Sequence, residues 1–514
     1  MPNSVMKTWI ISMKQIAQES QCAAKILNTI AYLDSQGLPF EVLSAAAGDG
    51  FKKHEILQAA GRLGDYSFLQ AQITAEAEPP AYQEHRLVQL ATRQALTKAK
   101  QNSEFSGNAI QIMENLFPDG THETWSSCRV YLPHALKSIS WKEADGYEDL
   151  APGLLSKIGR YYWEEGRSND AEQLDLQVWD LYQRVLGEKH PDTIGAMANL
   201  ASTWQQQGRS SEAEQLKLQV LDLYKSLLGE RHPDTIRAMA NLASTLWHQG
   251  RSNDAEQLQL QVLDLYKSQL GEKHPDTIRA MANLASTWQQ QGRSNDAEQL
   301  ESQVLDLYKG VLGEKHSDTI GAMANLASTW HQQGRPNDAE QLDLQVLDLY
   351  KRVLGRKHPS TIRAMENLAL TWWHQGRSNE AEQLQIQVQD LYKSVLGEKH
   401  PSTIIAMANL ASTLWHQGRS NDAEQLQLQV LDLYKSQLGE KHPDTIRTMA
   451  NLAVAYYNQQ RYDEAEKLEV NVLYVRQEIL GDKHPDTILA GENLTATYKE
   501  QGRYNEAKEL ELQS

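Results

Sequence analysis

The chain has 514 residues, a formal net charge of −17 and two cysteines, Cys22 and Cys128. That length exceeds one ordinary core and asks for several domains or a repeat array. The acidic balance excludes a general binder of nucleic acid or of an anionic membrane, and two cysteines are too few for a disulfide framework or a cysteine zinc site. No apolar run is long enough to span a bilayer, and the opening MPNSVMKTWIISMKQIAQES lacks a signal-peptide cleavage pattern. A reducing, cytoplasmic setting is expected.

Residues 1–96 do not repeat. TWIISMKQIAQESQCAAKILNTIAYLDSQGLPFEVLSAA reads as two or three short amphipathic helices, followed by another around HEILQAAGRLGDYSFLQ. SFLQAQITAEAEPPAYQEH, with its Pro79-Pro80 turn, reads as a β-hairpin, so the segment is expected to be a winged-helix-like domain without a basic stripe, a packing unit rather than a DNA reader. Residues 97–150 are expected to form a helical bridge.

Residues 151–514 form an array. The histidine of an H-P-D-T loop recurs at His190, His232, His274, His316, His358, His400, His442 and His484, a strict period of 42 residues. The Gly-Arg pair of Gly208-Arg209 keeps the same period and breaks once, at Gln460-Arg461. Such a period marks a stacked solenoid. In each unit the first helix carries Ile236, Met239, Leu242, Ala243 and Leu246 on one face. Pro233 suits its first position, Asp234 suits the positive end of its dipole, and Gly250 ends it. The second helix is expected to open with Asn253 as cap and Glu256 reaching back, to bury Leu258, Val262, Leu265 and Tyr266, and to close at Gly271. Eight whole units and a partial ninth are counted; the ninth stops inside NEAKELELQS, as in a truncated array or a fraying end.

Leu200-Ala201, Trp204, Gly208, Ala213 and Val220 sit where tetratricopeptide repeats place their packing residues, and the LGEKHPDT linker resembles the kinesin-light-chain variety. The resulting fold class is all-α: a tetratricopeptide-repeat α-solenoid of helix-turn-helix units behind a small, mostly helical winged-helix-like domain. The front segment resembles the region after the nucleotide-binding domain of fungal NOD-like receptors, a branch of the signal-transducing STAND ATPases. The pieces that carry this are TWIISMKQI, LDSQGLPFEVL, HRLVQLATR and the bridge NLFPDGTHETWSSCRVYLPHAL. In such receptors the histidine of a Met-His-Asp motif meets nucleotide; His85 matches it, while Glu84 and Arg86 depart from it. No G-x-x-x-x-G-K-[ST] loop occurs. The resemblance implies the sensor half of a receptor, with any NTPase on another segment or a separate chain. The alternative is a kinesin-light-chain-like cargo adaptor or scaffold, though that family carries heptads before its repeats and residues 1–150 sustain none.

Loop histidines repeat one per unit, about 10 Å apart as packed helix layers are, whereas zinc needs nitrogens at about 2 Å. They are therefore expected to pack and cap, and no metal or cofactor is expected. No Ser-His-Asp or Cys-His set stands out, so no catalysis is expected either. A constant asparagine sits mid-way along each first helix: Asn199, Asn241, Asn283, Asn325, Asn367, Asn409, Asn451 and Asn493. In tetratricopeptide proteins first helices line the concave groove, and the resemblance implies that this amide holds the backbone of an extended peptide.

The units are so alike that their differences are informative. His232–Lys273 and His400–Lys441 differ only at Asp234/Ser402 and Arg237/Ile405. One first-helix column runs Gly195, Arg237, Arg279, Gly321, Arg363, Ile405, Arg447, Leu489; a second runs Gln206, His248, Gln290, Gln332, His374, His416, Asn458, Glu500. Beside the second, Trp204-Gln205 alternates with Leu246-Trp247. Both columns fall on the asparagine face. Arg237, Arg279, Arg363 and Arg447, with His248, His374 and His416, are accordingly expected to set specificity, and the arginines favour a protein or peptide partner that carries carboxylates. Changes at Asp175, Lys217, Gln259, Glu301 and Asp343 on second helices are read as drift on an exposed face. No nucleic-acid or membrane partner is expected.

Overall fold

The computed structural model describes residues 2–72, 81–144 and 146–511 and divides into two compact units, 1–204 and 205–514. In the first unit α1 (Pro2–Glu19), α2 (Gln21–Ile30), α3 (Phe40–Ala47) and α4 (Lys53–Asp65) precede an antiparallel pair, β1 (Leu69–Gln72) and β2 (Ala81–Glu84), with Leu69 opposite Glu84. The hairpin therefore forms, while its Pro79-Pro80 turn lies outside the described residues. Next come α5 (Arg86–Ala99), α6 (Asn102–Leu116), α7 (Trp125–Ser138), α8 (Tyr147–Glu164), α9 (Ser168–Leu186) and α10 (Pro191–Gln206). Ile26, Ile30, Leu43, Ile56 and Leu63 are buried where α2, α3 and α4 meet. His85 caps α5: its Nδ1 accepts the Leu87 N–H at 3.1 Å.

The second unit is a run of helix pairs. It comprises α11 (Ser210–Leu228), α12 (Pro233–His248), α13 (Ser252–Leu270), α14 (Pro275–Gln290), α15 (Ser294–Leu312), α16 (Ser317–Gln332), α17 (Pro336–Val353) and α18 (Pro359–His374). It continues through α19 (Ser378–Val395), α20 (Pro401–His416), α21 (Ser420–Leu438), α22 (Pro443–Asn458), α23 (Tyr462–Leu480), α24 (Pro485–Glu500) and α25 (Tyr504–Glu511). From α11 on each helix packs on the next, and first helices of successive units also touch, as α14 does α16.

The repeat motif explains the pairs. His232 caps α12, its Nδ1 accepting the Asp234 N–H at 3.2 Å, with Pro233 in the first turn. His274, His316, His358, His400, His442 and His484 do the same for their helices. Gly250 takes φ +74°, letting Arg251 N–H reach back to Leu246 O at 2.9 Å and close α12. Gln460 adopts φ +62° in the same place, a left-handed conformation that a side chain makes costlier.

Two expectations about the second helix are corrected. The helix begins at Ser252 after Arg251, which makes no side-chain cap bond, and Asn253 is exposed. Glu256 turns instead toward the next unit. The buried stripe runs through Ala255, Gln259, Val262, Leu263 and Tyr266; Leu258 and Leu265 are only half-buried. A step of four from Ala255 reaches Gln259 and then Leu263, so the helical period places the polar residue inside.

One contact spans six units. The loop Gln206–Gly208 lies against His442, which is 8% exposed, and a Cβ on Gly208 would stand 2.5 Å from Pro443 Cδ.

Candidate functional site

A recurring latch holds successive units and aligns their first helices. Glu256 Oε1 accepts the Trp288 indole N–H at 2.7 Å and Arg293 Nη1 at 2.8 Å, while Oε2 accepts Gln291 Nε2 at 2.9 Å. Glu298 with Trp330, Arg335 and Gln333, and Glu340 with Trp372, Arg377 and Gln375, repeat the set. Burial pushes these carboxyls up, but the Gln, Trp and Arg donors together carry them below the usual carboxylate range.

The latch accounts for the Trp-Gln/Leu-Trp alternation. Where the latch position is Leu246 or Leu414, Glu214 and Glu382 keep their arginines, Arg251 and Arg419. The indole then moves one residue on, to Trp247 or Trp415, among the half-buried residues at the end of the first helix. Trp373 occupies that place in a unit that also keeps Trp372 in the latch.

The first helices present the anticipated columns outward. Asn199, Asn241, Asn283, Asn325, Asn409 and Asn451 are exposed, and Asn367 is half-buried. Asn409 Nδ2 donates to Glu366 Oε1 at 2.8 Å, so this member of the ladder is already engaged. His248, His374 and His416 are exposed beside these helices' C-terminal ends. The His331 and His374 rings stand 4.1 Å apart, and Trp373 meets His416 at 5.1 Å. Burial, followed by Lys217 for His248 and by His374 for His331, holds the imidazoles of both below the usual histidine range.

The arginines are less free than the sequence implies. Arg237, Arg279 and Arg447 bind Asp234, Asp276 and Asp444, three residues back, at 2.5, 2.6 and 2.7 Å. Arg363 has Ser360 at that place and lies instead near Tyr350 and Glu366; burial raises the titration of both, and the guanidinium offsets part of that rise.

The largest departure concerns the second-helix column. Asp175, Lys217, Gln259, Glu301 and Asp343 are buried at 9, 5, 7, 2 and 4% exposure, so their variation is not surface drift. Asp175, Lys217, Glu301 and Asp343 each face a threonine on the following first helix. Thr203 donates to Asp175 at 2.6 Å and Thr371 to Asp343 at 2.7 Å; Lys217 Nζ donates to Thr245 Oγ1 at 2.7 Å and Gln205 Oε1 at 2.5 Å. Burial pushes Asp175 and Asp343 up to about 6 and Glu301 up to about 7, and it pulls Lys217 down to about 8.

In the second unit this column varies together with the residue twelve positions earlier. Trp247, Trp373 and Trp415 accompany the neutral Gln259, Gln385 and Gln427. Gln205, Gln289, His331 and Tyr457 accompany the charged Lys217, Glu301, Asp343 and Glu469. An indole above a buried charge would leave it without polar partners, which an amide tolerates better. In the first unit Trp163 with Asp175 departs from this rule. The Asp343 gap is open: a cavity of about 550 Å³ is lined by His331, Gln332, Asp343, Asn367, Thr371 and His374. Asn367, His374 and the solenoid's variable positions thus meet at one place, which distant exposed members such as Asn241 and Asn451 do not share.

Among the described residues no cluster of His, Cys, Asp and Glu could hold a metal ion, and no helix is long and apolar enough to cross a membrane.

A 197-residue stretch is 40% identical to a nucleotide-binding leucine-rich repeat (NLR)-like protein of Hyaloscypha variabilis, covering 38% of this chain and 19% of that protein. The chain therefore matches only a small part of that relative's length. Among solved structures, a putative kinesin light chain of Podospora anserina with nearly identical TPR-like repeats is 26% identical, at a TM-score of 0.35 over 40% of this chain and 97% of that one. A STAND protein with a tetratricopeptide repeat sensor from Pyrococcus horikoshii is 12% identical, at a TM-score of 0.47 over 89% of this chain and 64% of that one. Tetratricopeptide repeat models match residues 150–226, 205–268, 234–310, 319–360, 367–436, 409–470 and 444–514. With more than half its length matched and its helix pairs stacked as that repeat requires, the chain belongs to the tetratricopeptide repeat family, whose members act as protein-binding scaffolds.

Proposed function

We propose that this chain recognises a protein or an extended peptide along the exposed face of its first helices and takes no part in catalysis. The observation that carries the reading is the cavity where constant Asn367 meets variable His331, His374 and Asp343. A fixed amide suits a feature every ligand shares, the peptide backbone; changeable side chains suit what differs between ligands. The partial match to an NLR-like protein supports the sensor half of a fungal NOD-like receptor, with residues 1–96 as a winged-helix-like packing domain, 97–150 as a bridge and 151–514 as the sensor array. An NTPase would act from another segment or chain in a cytoplasmic assembly. On this reading Arg363 is the foremost candidate contact for a ligand carboxylate, because Arg237, Arg279 and Arg447 already hold aspartates.

Selection of a displayed random peptide library on the purified chain tests this. Enriched peptides should share a motif, and replacing Asn241, Asn283 and Asn325 together by Ala should weaken them by about 1 kcal/mol per hydrogen bond lost. Melting should be little changed, because Ala favours the helix. A triple variant that melts early but keeps its peptides would make the asparagines structural, and a library that yields no motif would remove the reading.

A further inference from the structure

We propose that the buried, variable position of the second helix is a charge-reading socket beneath the groove, and that the Asp343 socket takes a lysine or arginine side chain of the peptide. The inference rests on the peptide-binding reading above and deepens it.

Four observations support it. First, the position is polar in every unit of the second compact unit although it lies on the apolar stripe between Ala339 and Leu347, where a methyl-bearing side chain would pack without desolvation cost. Second, its identity follows the residue above it: an indole goes with a neutral amide, and a smaller or hydrogen-bonding residue goes with a charge. Neutral Gln259, Gln385 and Gln427 thus lie under indoles, while charged Lys217, Glu301, Asp343 and Glu469 do not. Third, the Asp343 gap opens into the cavity beside Asn367. Fourth, a partner is missing: His331 belongs to this cavity's wall, and its Nε2 is buried and unpaired.

The chemistry selects a cation. Thr371 donates to one oxygen of Asp343, and the imidazoles of His331 and His374, both held below the usual histidine range by burial, supply acceptor nitrogens rather than positive charge. Glu340, on Asp343's own helix, adds negative charge nearby. An ammonium or guanidinium satisfies such a set; a carboxylate does not. Lys217 shows that the array also accepts the opposite sign at this position.

The test is a positional-scanning library of acetylated nonapeptides, bound at pH 7.5 and at pH 5.0, to the full chain and three variants. Wild type should select Lys or Arg at one position. Affinity should fall about tenfold at pH 5.0, as Asp343 takes up a proton and the imidazoles charge. Asp343→Asn should lose the basic preference about tenfold, and Asp343→Lys should turn it toward Asp or Glu. Should Asp343→Lys fail to fold, His331→Trp with Asp343→Gln copies a pair the array already contains and should also abolish the preference. Peptides selected without a basic residue, or a basic preference unchanged in Asp343→Asn, would overturn the socket and leave the groove standing. No peptide selected at all would overturn both.

Discussion

Trp330 donates its indole N–H to Glu298 Oε1 across 2.6 Å, and the two residues belong to successive units. With Arg335 and Gln333 on the same carboxylate, this one side chain ties the second helix of one unit to the first helix of the next. In a solenoid each unit touches only its neighbours, so stability is roughly a sum of unit and interface contributions. Glu298→Ala should therefore cost about 1–3 kcal/mol, the worth of hydrogen bonds to a charged group, and weaken cooperativity across one interface. Urea unfolding should show a lower midpoint and a broader transition. A variant that unfolds like wild type would mean that the apolar contacts alone couple the units.

Asp343 should behave in the opposite sense toward pH. Its folded carboxyl is raised to about 6 by burial, so between the unfolded value of about 3.9 and 6 the folded state binds the extra proton. Stability contributed by this group is thus present at low pH and declines as pH rises through that window. The latch carboxyls Glu256, Glu298 and Glu340 are lowered, so their contribution is present above the unfolded value and disappears as pH falls through the folded one. Together the two sets should place the stability maximum near pH 5. Asp343→Asn should raise stability at pH 7.5 by about 2–3 kcal/mol and change little at pH 4.5. Thermal melts across that range decide it. A stability gain coupled to a loss of basic-peptide binding would also show that the buried charge is retained for recognition.

The arginines should not be equivalent. Arg237 is held by Asp234, whereas Arg363 has Ser360 in that place. Arg363→Ile should weaken an acidic peptide at least several-fold, and Arg237→Ile, which copies Ile405, should do so less, since its guanidinium must first leave an aspartate. Equal losses, measured by calorimetry at one salt concentration, would mean that the exposed pair with Asp234 costs nothing to break.

Gly208 and Gly292 share a left-handed backbone, at φ +76° and +77°. Only Gly208 has neighbours, however: an added Cβ would stand 2.5 Å from Pro443 Cδ, whereas Gly292 faces open space. Gly292→Ala should cost about 1–2 kcal/mol for the left-handed conformation alone. Gly208→Ala should cost more and raise hydrogen exchange around His442–Asp444. Equal melting temperatures in the two variants would mean that the six-unit contact adds nothing to stability.

The 42-residue period, the helix pairs and the family were legible in the sequence because they depend on local causes. His232 and Pro233 start a helix, Gly250 ends it, and spacings of three and four assign its apolar face; nearly every unit repeats these signals. The asparagine ladder and first-helix variation were legible for the same reason, since 3.6 residues per turn place Arg237, Asn241 and His248 on one face. Partner choice was not. Whether Glu256 caps its own helix or accepts Trp288 from the next depends on which unit stacks above it. Whether Arg237 waits for a ligand or holds Asp234 depends on rotamers, and whether Asp343 is exposed drift or a buried socket depends on what covers the second helix. The period of one helix defines a direction for every side chain; only the neighbouring helices decide whether water, a carboxylate or a cavity lies in that direction.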